Sequence, residues 1–442
     1  MRKSFILLVL ACLALGEVSR AQTTQQRPYV TVMLTPDHED WLYRCGEKVE
    51  LTLQVMQFNV ALKNQEVSYE WGMEMSAAEE TKTINTGATG VVKLKLKGSS
   101  KPGFKTCMAK VTVNGREYSN YINVGFEPEK IQPTTECPKD FMKFWNGQLE
   151  KARKIELAPL FTLQPDLCTP YSDAYMVRFC NTWAEDYMYG MMRVPKGIDP
   201  VTSTKQHPAI LEVPGAGVRP YKGAADDYAK AGIITFQMGI HGIPVNMPEH
   251  VYQNLKSTAL ANYNNYNLDN KESYYYKRVY IGCVKAVDLL CSMGCVDSTR
   301  IAVYGGSQGG ALTIVVAALA ADKITCASAL HPALCELAGS QHGRIDGWPR
   351  LFTGNANKSG KEDKLKTVPY YDVVNFARFV KAPLQFIQGF NDRTCPPTTT
   401  YSAYNIMTCE KSLLLPKDCA HWFYSENWTE RRDWLIDHLT KE

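Results

Sequence analysis

From Tyr29 to about Phe126 the chain carries short stretches in which apolar and polar residues alternate. Examples are Val30-Thr-Val-Met-Leu34, Val49-Glu-Leu-Thr-Leu-Gln-Val55 and Val91-Val-Lys-Leu-Lys-Leu96, each bounded by Gly and polar clusters. A period of two belongs to strands with one buried face, so the pattern predicts a small all-β sandwich over residues 28–126. Its charged residues fall on the solvated positions, which gives it no chemistry of its own. The expectation is an accessory role, either orienting its neighbour or presenting aromatics to carbohydrate, with Trp41, Trp71 and the tyrosines read as core. A polar, Pro-containing linker over residues 127–138 follows.

From residue 139 to 442 the pattern changes. A helix is expected over Asp140 to Ile155 and a hairpin around residues 173 to 195, after which apolar strands alternate with helical stretches. The strands are Pro208 to Val213, Gly232 to Met238, Arg300 to Tyr304, Cys326 to Leu330, Pro383 to Gln388 and Lys411 to Leu415. Such alternation predicts an α/β unit, a mostly parallel sheet with helices on both faces. Ligands of open sheets in this class bind beyond the carboxyl ends of the strands.

Charge and composition exclude more than they assign. The 49 basic and 45 acidic residues are dispersed, so no phosphate-tracking surface and no nucleic-acid partner are expected. Arg2 and Lys3 precede an apolar run from Phe5 to Leu15, and Ser19 and Ala21 stand at A-x-A spacing. Residues 1–21 therefore read as an export signal cleaved after Ala21, with lipid attachment at Cys12 as the alternative. No apolar run is long enough to span a bilayer, so the expectation is a secreted or periplasmic protein without integral membrane association. Loss of Cys12 leaves thirteen cysteines, an odd number. Cys45 and Cys107 flank Trp71 and could bridge two sheets, or both could be buried thiols. Cys291-Ser-Met-Gly-Cys295 lies on a helical pattern without a nearby histidine. No metal site is expected there, and no cofactor is implied.

The segment that carries chemistry is Arg300-Ile-Ala-Val-Tyr-Gly-Gly-Ser-Gln-Gly-Gly310, followed by the Ala-rich run Ala311 to Ala321. A strand turning into a helix through Gly305-x-Ser307-x-Gly309 is the nucleophile elbow of α/β-hydrolases: the glycines remove side chains that would clash, and the serine oxygen is left exposed. The backbone N–H of Gln308 then stands where an oxyanion would form. Small residues in Pro214-Gly-Ala-Gly217 point to Ala216 as the second donor. Serine needs a base, and the base needs an acid to orient it; in this fold they follow in the order Ser, Asp or Glu, His. His421 lies just beyond the last strand, whereas His438 belongs to the C-terminal helix and His331 precedes every later acid. Asp392 follows the strand Pro383 to Gln388 and is the expected acid. Asp418, three residues before His421, competes for that role and reads otherwise as a turn residue.

Gly305-Gly-Ser-Gln-Gly-Gly310, Asp392-Arg-Thr-Cys-Pro-Pro397, Tyr276-Lys-Arg-Val-Tyr280, Asp140-Phe-Met-Lys-Phe-Trp145 and Val296-Asp-Ser-Thr-Arg-Ile301 together resemble the acetyl xylan esterase and cephalosporin C deacetylase family. The resemblance spans roughly residues 135 to 442 and leaves out the sandwich. It implies hydrolysis of small acyl esters, chiefly acetyl groups on sugar hydroxyls, with Ser307, Asp392 and His421 as the triad and an acylated carbohydrate as substrate. Three departures bear on the pocket. Met238-Gly-Ile-His-Gly242 stands where the family has Arg-Gly-Gln, His421-Trp422 replaces a His-Glu pair, and Ala216 replaces a tyrosine. The long Asn- and Tyr-rich connection from Ile243 to Tyr276 could shape the site, with His241 and Tyr276 as candidate substrate contacts or as ordinary lid packing.

Two other functions fit the same motifs. A serine exopeptidase of the prolyl-peptidase type shares the elbow and the triad order, but only about 100 sandwich-like residues precede the catalytic region, too few for a propeller. A catalytically silent carbohydrate-binding homologue would account for the altered Met238 to Gly242 segment.

Overall fold

The structure, a computed structural model, describes residues 28–441. The export segment expected over residues 1–21, with Cys12, lies outside them. Nine strands come first: β1 (Val30–Pro36), β2 (Leu42–Tyr43), β3 (Val49–Gln57), β4 (Val60–Ala61), β5 (Glu66–Met73), β6 (Glu80–Asn85), β7 (Val91–Leu96), β8 (Gly103–Val113) and β9 (Arg116–Phe126). They form a four-stranded sheet, in which β3 pairs with β1, β4 and β7, and a five-stranded sheet ordered β2-β9-β8-β5-β6. The alternation read from sequence is realised side chain by side chain. Leu51, Leu53 and Val55 of β3 meet Val67, Tyr69 and Trp71 of β5 in one core, while the residues between them face outward.

All thirteen cysteines of the described residues are unpaired, Cys45 and Cys107 included. Cys107 is fully buried opposite Trp71 on the neighbouring strand. The Cys45 thiol faces Glu127 instead. Of the two possibilities for this pair, free thiols are therefore the one observed.

The second part holds α1 (Phe141–Arg153), the strands β10 (Leu160–Leu163), β11 (Ser172–Cys180), β12 (Tyr187–Pro195) and β13 (His207–Glu212), then α2 (Asp226–Lys230), β14 (Ile234–Gly239), α3 (Glu249–Ser257) and α4 (Tyr275–Ser292). It continues with β15 (Val296–Gly306), α5 (Gln308–Leu319), β16 (Cys326–Leu330), α6 (Lys361–Thr367), α7 (Val373–Ala377), β17 (Leu384–Ile387), α8 (Pro397–Ile406), β18 (Lys411–Leu414) and α9 (Ser425–Thr440). The sheet has nine strands in the order β10-β11-β12-β14-β13-β15-β16-β17-β18. It is parallel from β14 to β18, with antiparallel β10, β11 and β12 on one edge. The fold is that of an α/β-hydrolase, preceded by an antiparallel β region. Each expected strand is present, with ends shifted by up to four residues at β15. The edge strand β10 is only four residues long, Leu-Phe-Thr-Leu, and mostly exposed, too short for a period to register.

Helix α5 is buried over its whole length between the sheet and α4 and α7, which is why its sequence is apolar on every side. On the opposite face Leu435 and Leu439 of α9 cover Ile210, Ala302 and Cys326. The central strands are thus covered on both sides, and the carboxyl ends of β15, β16 and β17 present their loops at one rim.

The linker residues are laid onto the α/β part. Asn405 of α8 donates to the carbonyls of Pro128 and Ile131, at 2.8 and 2.9 Å. Thr134 N–H donates to Glu336 at 2.8 Å. Phe104 of β8 and Trp41 pack on Phe390, in one cluster with Ile131 and Tyr401. Glu74, one residue beyond β5, is buried in this contact and accepts from the Thr398 N–H of α8 at 3.3 Å. Burial pushes its carboxyl up to about 8, with the Asp392 charge adding to the rise and the Thr398 hydrogen bonds and Arg393 opposing it. At neutral pH Glu74 is therefore uncharged.

Because the folded protein holds this proton more tightly than the unfolded chain, the associated stability is fully present below about pH 4.5 and is lost as pH rises toward about 8. The slope is on the order of 1 kcal/mol per pH unit in that window. Glu74→Gln, which cannot ionise, is expected to flatten this slope: its melting temperature should exceed the wild type's at pH 8 by more than at pH 5. Equal differences at the two pH values would contradict the assignment.

Candidate active site

The rim residues that carry chemistry come from three loops. Ser307 joins β15 to α5 at φ 60° and ψ −121°, a backbone state that a side chain other than Gly rarely adopts. The turn is held by Ser307 N–H donating to the Leu330 carbonyl and Ala333 N–H donating to the Ser307 carbonyl, both at 3.0 Å. The two flanking glycines are required by contact. A Cβ on Gly305 would lie 2.5 Å from the Val213 carbonyl oxygen, and one on Gly309 would lie 2.4 Å from the same atom. The elbow is thus pressed against the end of β13, where the loop Pro214-Gly-Ala-Gly217 begins.

Gln308 is the first residue of α5, so its N–H has no partner within the helix. Its side chain is fully buried and was not singled out by the sequence pattern. Tyr263 and Tyr276 both donate their hydroxyls to Gln308 Oε1, at 2.7 and 2.8 Å, and Gln308 Nε2 donates to the Pro214 carbonyl at 3.3 Å. The carboxamide therefore ties the elbow to the loop bearing Ala216. The signal was present in sequence: Gln308 is the one polar side chain among the glycines that start an otherwise apolar helix. Ala216 itself lies on this loop, where Arg219 Nη2 donates to its carbonyl at 2.9 Å.

The acid and base loops close the site. Asp392 is fully buried; its Oδ1 accepts from Thr394 N–H at 2.8 Å and Cys395 N–H at 2.9 Å. Its Oδ2 lies 2.7 Å from His421 Nδ1. With Nδ1–H donating to the carboxylate, His421 Nε2 is left as an acceptor, the tautomer a general base needs. Asp418, the competing acid, is engaged by the Tyr424 hydroxyl. His331, at the end of β16, stacks on His421 with ring centroids 4.1 Å apart and on Phe423 at 4.6 Å. Burial holds the His331 imidazole well below its usual range, and the neighbouring His421 acts in the same direction. His331 is therefore a neutral plate behind the base. His438 packs on Trp434 within α9.

The two candidate substrate contacts are placed differently from a pocket lining. Tyr276 is fully buried, and its hydroxyl is occupied by Gln308, because the N-terminal turns of α4 pack beneath the elbow. His241 Nε2 lies 3.0 Å from the Gly217 carbonyl and its Nδ1 2.6 Å from the Tyr275 hydroxyl. A carbonyl can only accept, so Nε2 carries the proton and Nδ1 accepts from Tyr275. Burial lowers the His241 pKa to about 4, which keeps the ring neutral. Both nitrogens are spent on fastening the Gly217 loop to α4. Among the described residues the grouping of His, Cys, Asp and Glu side chains close enough to hold a metal ion is His331, Asp392 and His421. Its two stacked rings would have to bind one ion from parallel planes, a poor fit for a closed site.

Comparison with known proteins adds the following. The family described as acetyl xylan esterase (AXE1) matches residues 127–438. A curated relative, acetyl esterase Axe7A of Xylanibacter ruminicola, is 34% identical over 408 residues, covering 91% of this chain and 89% of its own length. That match extends into the N-terminal β region. Among solved structures, an acetyl xylan esterase from Paenibacillus sp. R4 aligns with 70% of this chain and 98% of its own, at 24% identity and a TM-score of 0.58. Acetyl xylan esterase 1 from Thermoanaerobacterium sp. JW/SL YS485 aligns with 71% of this chain and 98% of its own, at 20% identity and a TM-score of 0.59. These two likenesses bear on the fold.

The steric argument at the elbow gives a direct test. Gly309→Ala forces a methyl group against the Val213 carbonyl, so the serine must shift. A fluorophosphonate probe should then label the variant about 10²-fold more slowly than the wild type. An unchanged labelling rate would show that the turn tolerates a side chain.

Proposed function

The chain belongs to the acetyl xylan esterase family and is a hydrolase of carboxylic esters; from that premise we propose that Ser307, His421 and Asp392 remove acetyl groups from sugar hydroxyls through an acyl-enzyme. The observation that carries the assignment is the pairing of buried Asp392 with half-buried His421 at 2.7 Å, reached from the two strands that follow the elbow strand's neighbour, with the free nitrogen of His421 left to accept a proton. His421 takes the proton of Ser307 Oγ as that oxygen attacks the acetyl carbonyl carbon. The tetrahedral oxyanion is met by the backbone N–H groups of Gln308 and Ala216, each such donor being worth about 3 to 4 kcal/mol. The carbon–oxygen bond to the sugar breaks, and His421 returns the proton to the departing hydroxyl. A water molecule, deprotonated by the same histidine, then attacks the acetyl-serine, and acetate and the free serine are released.

Two further features support a carbohydrate alcohol. Trp422 and Tyr424, next to the base, remain 47% and 43% exposed and pack edge to face 5.0 Å apart. An exposed aromatic surface that directly follows His421 in the chain suits the apolar face of a sugar ring. Export over residues 1–21 belongs to the same reading, since polysaccharide lies outside the cell. No helix among the described residues is long and apolar enough to cross a membrane.

Ser307→Ala should abolish the burst with 4-nitrophenyl acetate and lower kcat by about 10³-fold or more. Activity that survives the substitution would overturn the nucleophile assignment. Trp422→Ala should raise KM for an acetylated xylo-oligosaccharide about five-fold or more while leaving 4-nitrophenyl acetate hydrolysis within about two-fold, as expected for loss of one stacking contact. Equal effects on both substrates would remove Trp422 from sugar binding. N-terminal sequencing of the exported protein should begin at Gln22; retention of residues 1–21 would contradict export by cleavage.

A further inference from the structure

The N-terminal β region reaches the acid of the proposed triad. Strand β9 alternates in the ordinary way: Ile122 and Val124 are buried in the core between the two antiparallel sheets, so Tyr121 and Asn123 point away from it. Asn123 is nevertheless fully buried, and what buries it is the loop Gly389 to Pro397. A buried amide is costly unless its donors and acceptors are met. Here they are met by residues on either side of the loop contact. Asn123 Nδ2 donates to the Phe390 carbonyl at 2.7 Å, its backbone N–H donates to Asn391 Oδ1 at 2.8 Å, and its Oδ1 accepts from Thr106 Oγ1 at 2.6 Å. The Tyr121 hydroxyl donates to the Asn391 carbonyl at 2.8 Å.

Asn391 immediately precedes Asp392 and is held from the other side by the loop of the base. Its N–H donates to the Cys419 carbonyl at 3.1 Å and its Nδ2 to the Asp418 carbonyl at 3.2 Å. Phe390 is seated against Phe104 and Trp41, with ring centroids 5.1 and 6.5 Å away. The Arg393 guanidinium lies over the Tyr121 ring at 5.2 Å. The residues before and after Asp392 are therefore each anchored on the β region, while Asp392 itself is turned toward His421.

We propose that the β-sandwich is the positioning element of the acid: the Tyr121 hydroxyl, acting through the Asn391 carbonyl, and the Asn123 carboxamide, acting through the Phe390 carbonyl, fix where Asp392 stands beneath His421. This rests on the reading of Asp392 as the triad acid. The α/β part holds the acid loop from one side, through the Cys419 and Asp418 carbonyls, and β9 holds it from the other. Freed from β9, the Asn391 carbonyl loses the Tyr121 hydroxyl and the Phe390 carbonyl loses the Asn123 amide, and the carboxylate loses its fixed distance to the histidine. The defect should appear in kcat, because a misplaced acid weakens the transition state and leaves ester binding untouched.

The experiment is a double-mutant cycle on the full chain. Asn123→Ala and Tyr121→Phe are made separately in the wild type and in Asp392→Asn, with 4-nitrophenyl acetate turnover measured at high enzyme concentration. Each single variant is expected to lower kcat about ten-fold with KM within about two-fold, on the scale known for misplaced catalytic groups. In the Asp392→Asn background neither should cost anything further, since the group they position is already lost. Tyr121→Phe removes one hydroxyl from a half-buried ring and keeps the test open should Asn123→Ala fold poorly. A loss of the same fold in both backgrounds would mark a general structural role and overturn the inference, as would an unchanged kcat in Tyr121→Phe. An Asp392→Asn variant with wild-type kcat would instead overturn the triad reading, and the inference with it.

Discussion

The Val213 carbonyl oxygen is the contact around which the catalytic rim is built. It stands at the end of β13 within 2.5 Å of where side chains on Gly305 and Gly309 would begin. Two strands and a helix can meet that closely only if the turn between them has no side chain on either flank. The serine between the glycines is then forced to φ 60°. That strain is tolerable because the turn is bound on both sides, by Leu330 of β16 and by Ala333 beyond it. The same approach brings the loop after β13 to the start of α5, so Gln308 can hold both together through its carboxamide. One close backbone contact thus fixes Ser307, the helix terminus and the loop that bears Ala216.

The other half of the site is held by polar groups taken out of water. Asp392 has no exposure, and all of its hydrogen-bond partners come from the protein: two backbone N–H groups of its own loop and the imidazole of His421. A buried carboxylate so satisfied is rigid. Its neighbours are kept from adding charge. Burial pushes the Glu74 carboxyl up to about 8 and holds the His331 imidazole well below its usual range, so both favour their uncharged forms beside Asp392 and His421. The β region takes part in this arrangement through Asn123 and Tyr121, whose contacts converge on the residue before the acid.

Much of this was legible in the chain. Strand periodicity fixed the two architectures because burial on one face, or on both, leaves a pattern of period two or a continuous apolar run. Gly305-x-Ser307-x-Gly309 was readable because its chemistry depends on consecutive residues. Cys45 and Cys107 were left open by spacing, and the tertiary structure separated them by turning Cys45 toward Glu127. His241 and Tyr276 read as candidate ligand groups because they flank a long Asn- and Tyr-rich connection that could shape the site. Folded, both are spent on internal hydrogen bonds, which a one-dimensional pattern does not show. The edge strand β10 is legible only in the fold, since four residues are too few to show a period.

The sequence by itself determined the fold class and the Gly305-x-Ser307-x-Gly309 turn, since these are set by local sterics and by the periodicity of burial. Only the tertiary structure decided which carboxylate reaches His421, what holds that carboxylate, and which residues of the N-terminal β region touch its loop. Those answers depend on contacts between residues up to some 270 positions apart, such as Tyr121 with Asn391. An asparagine on the outward face of a strand reads as solvated surface. It becomes a structural support only when a second unit buries it and its hydrogen bonds must be met there.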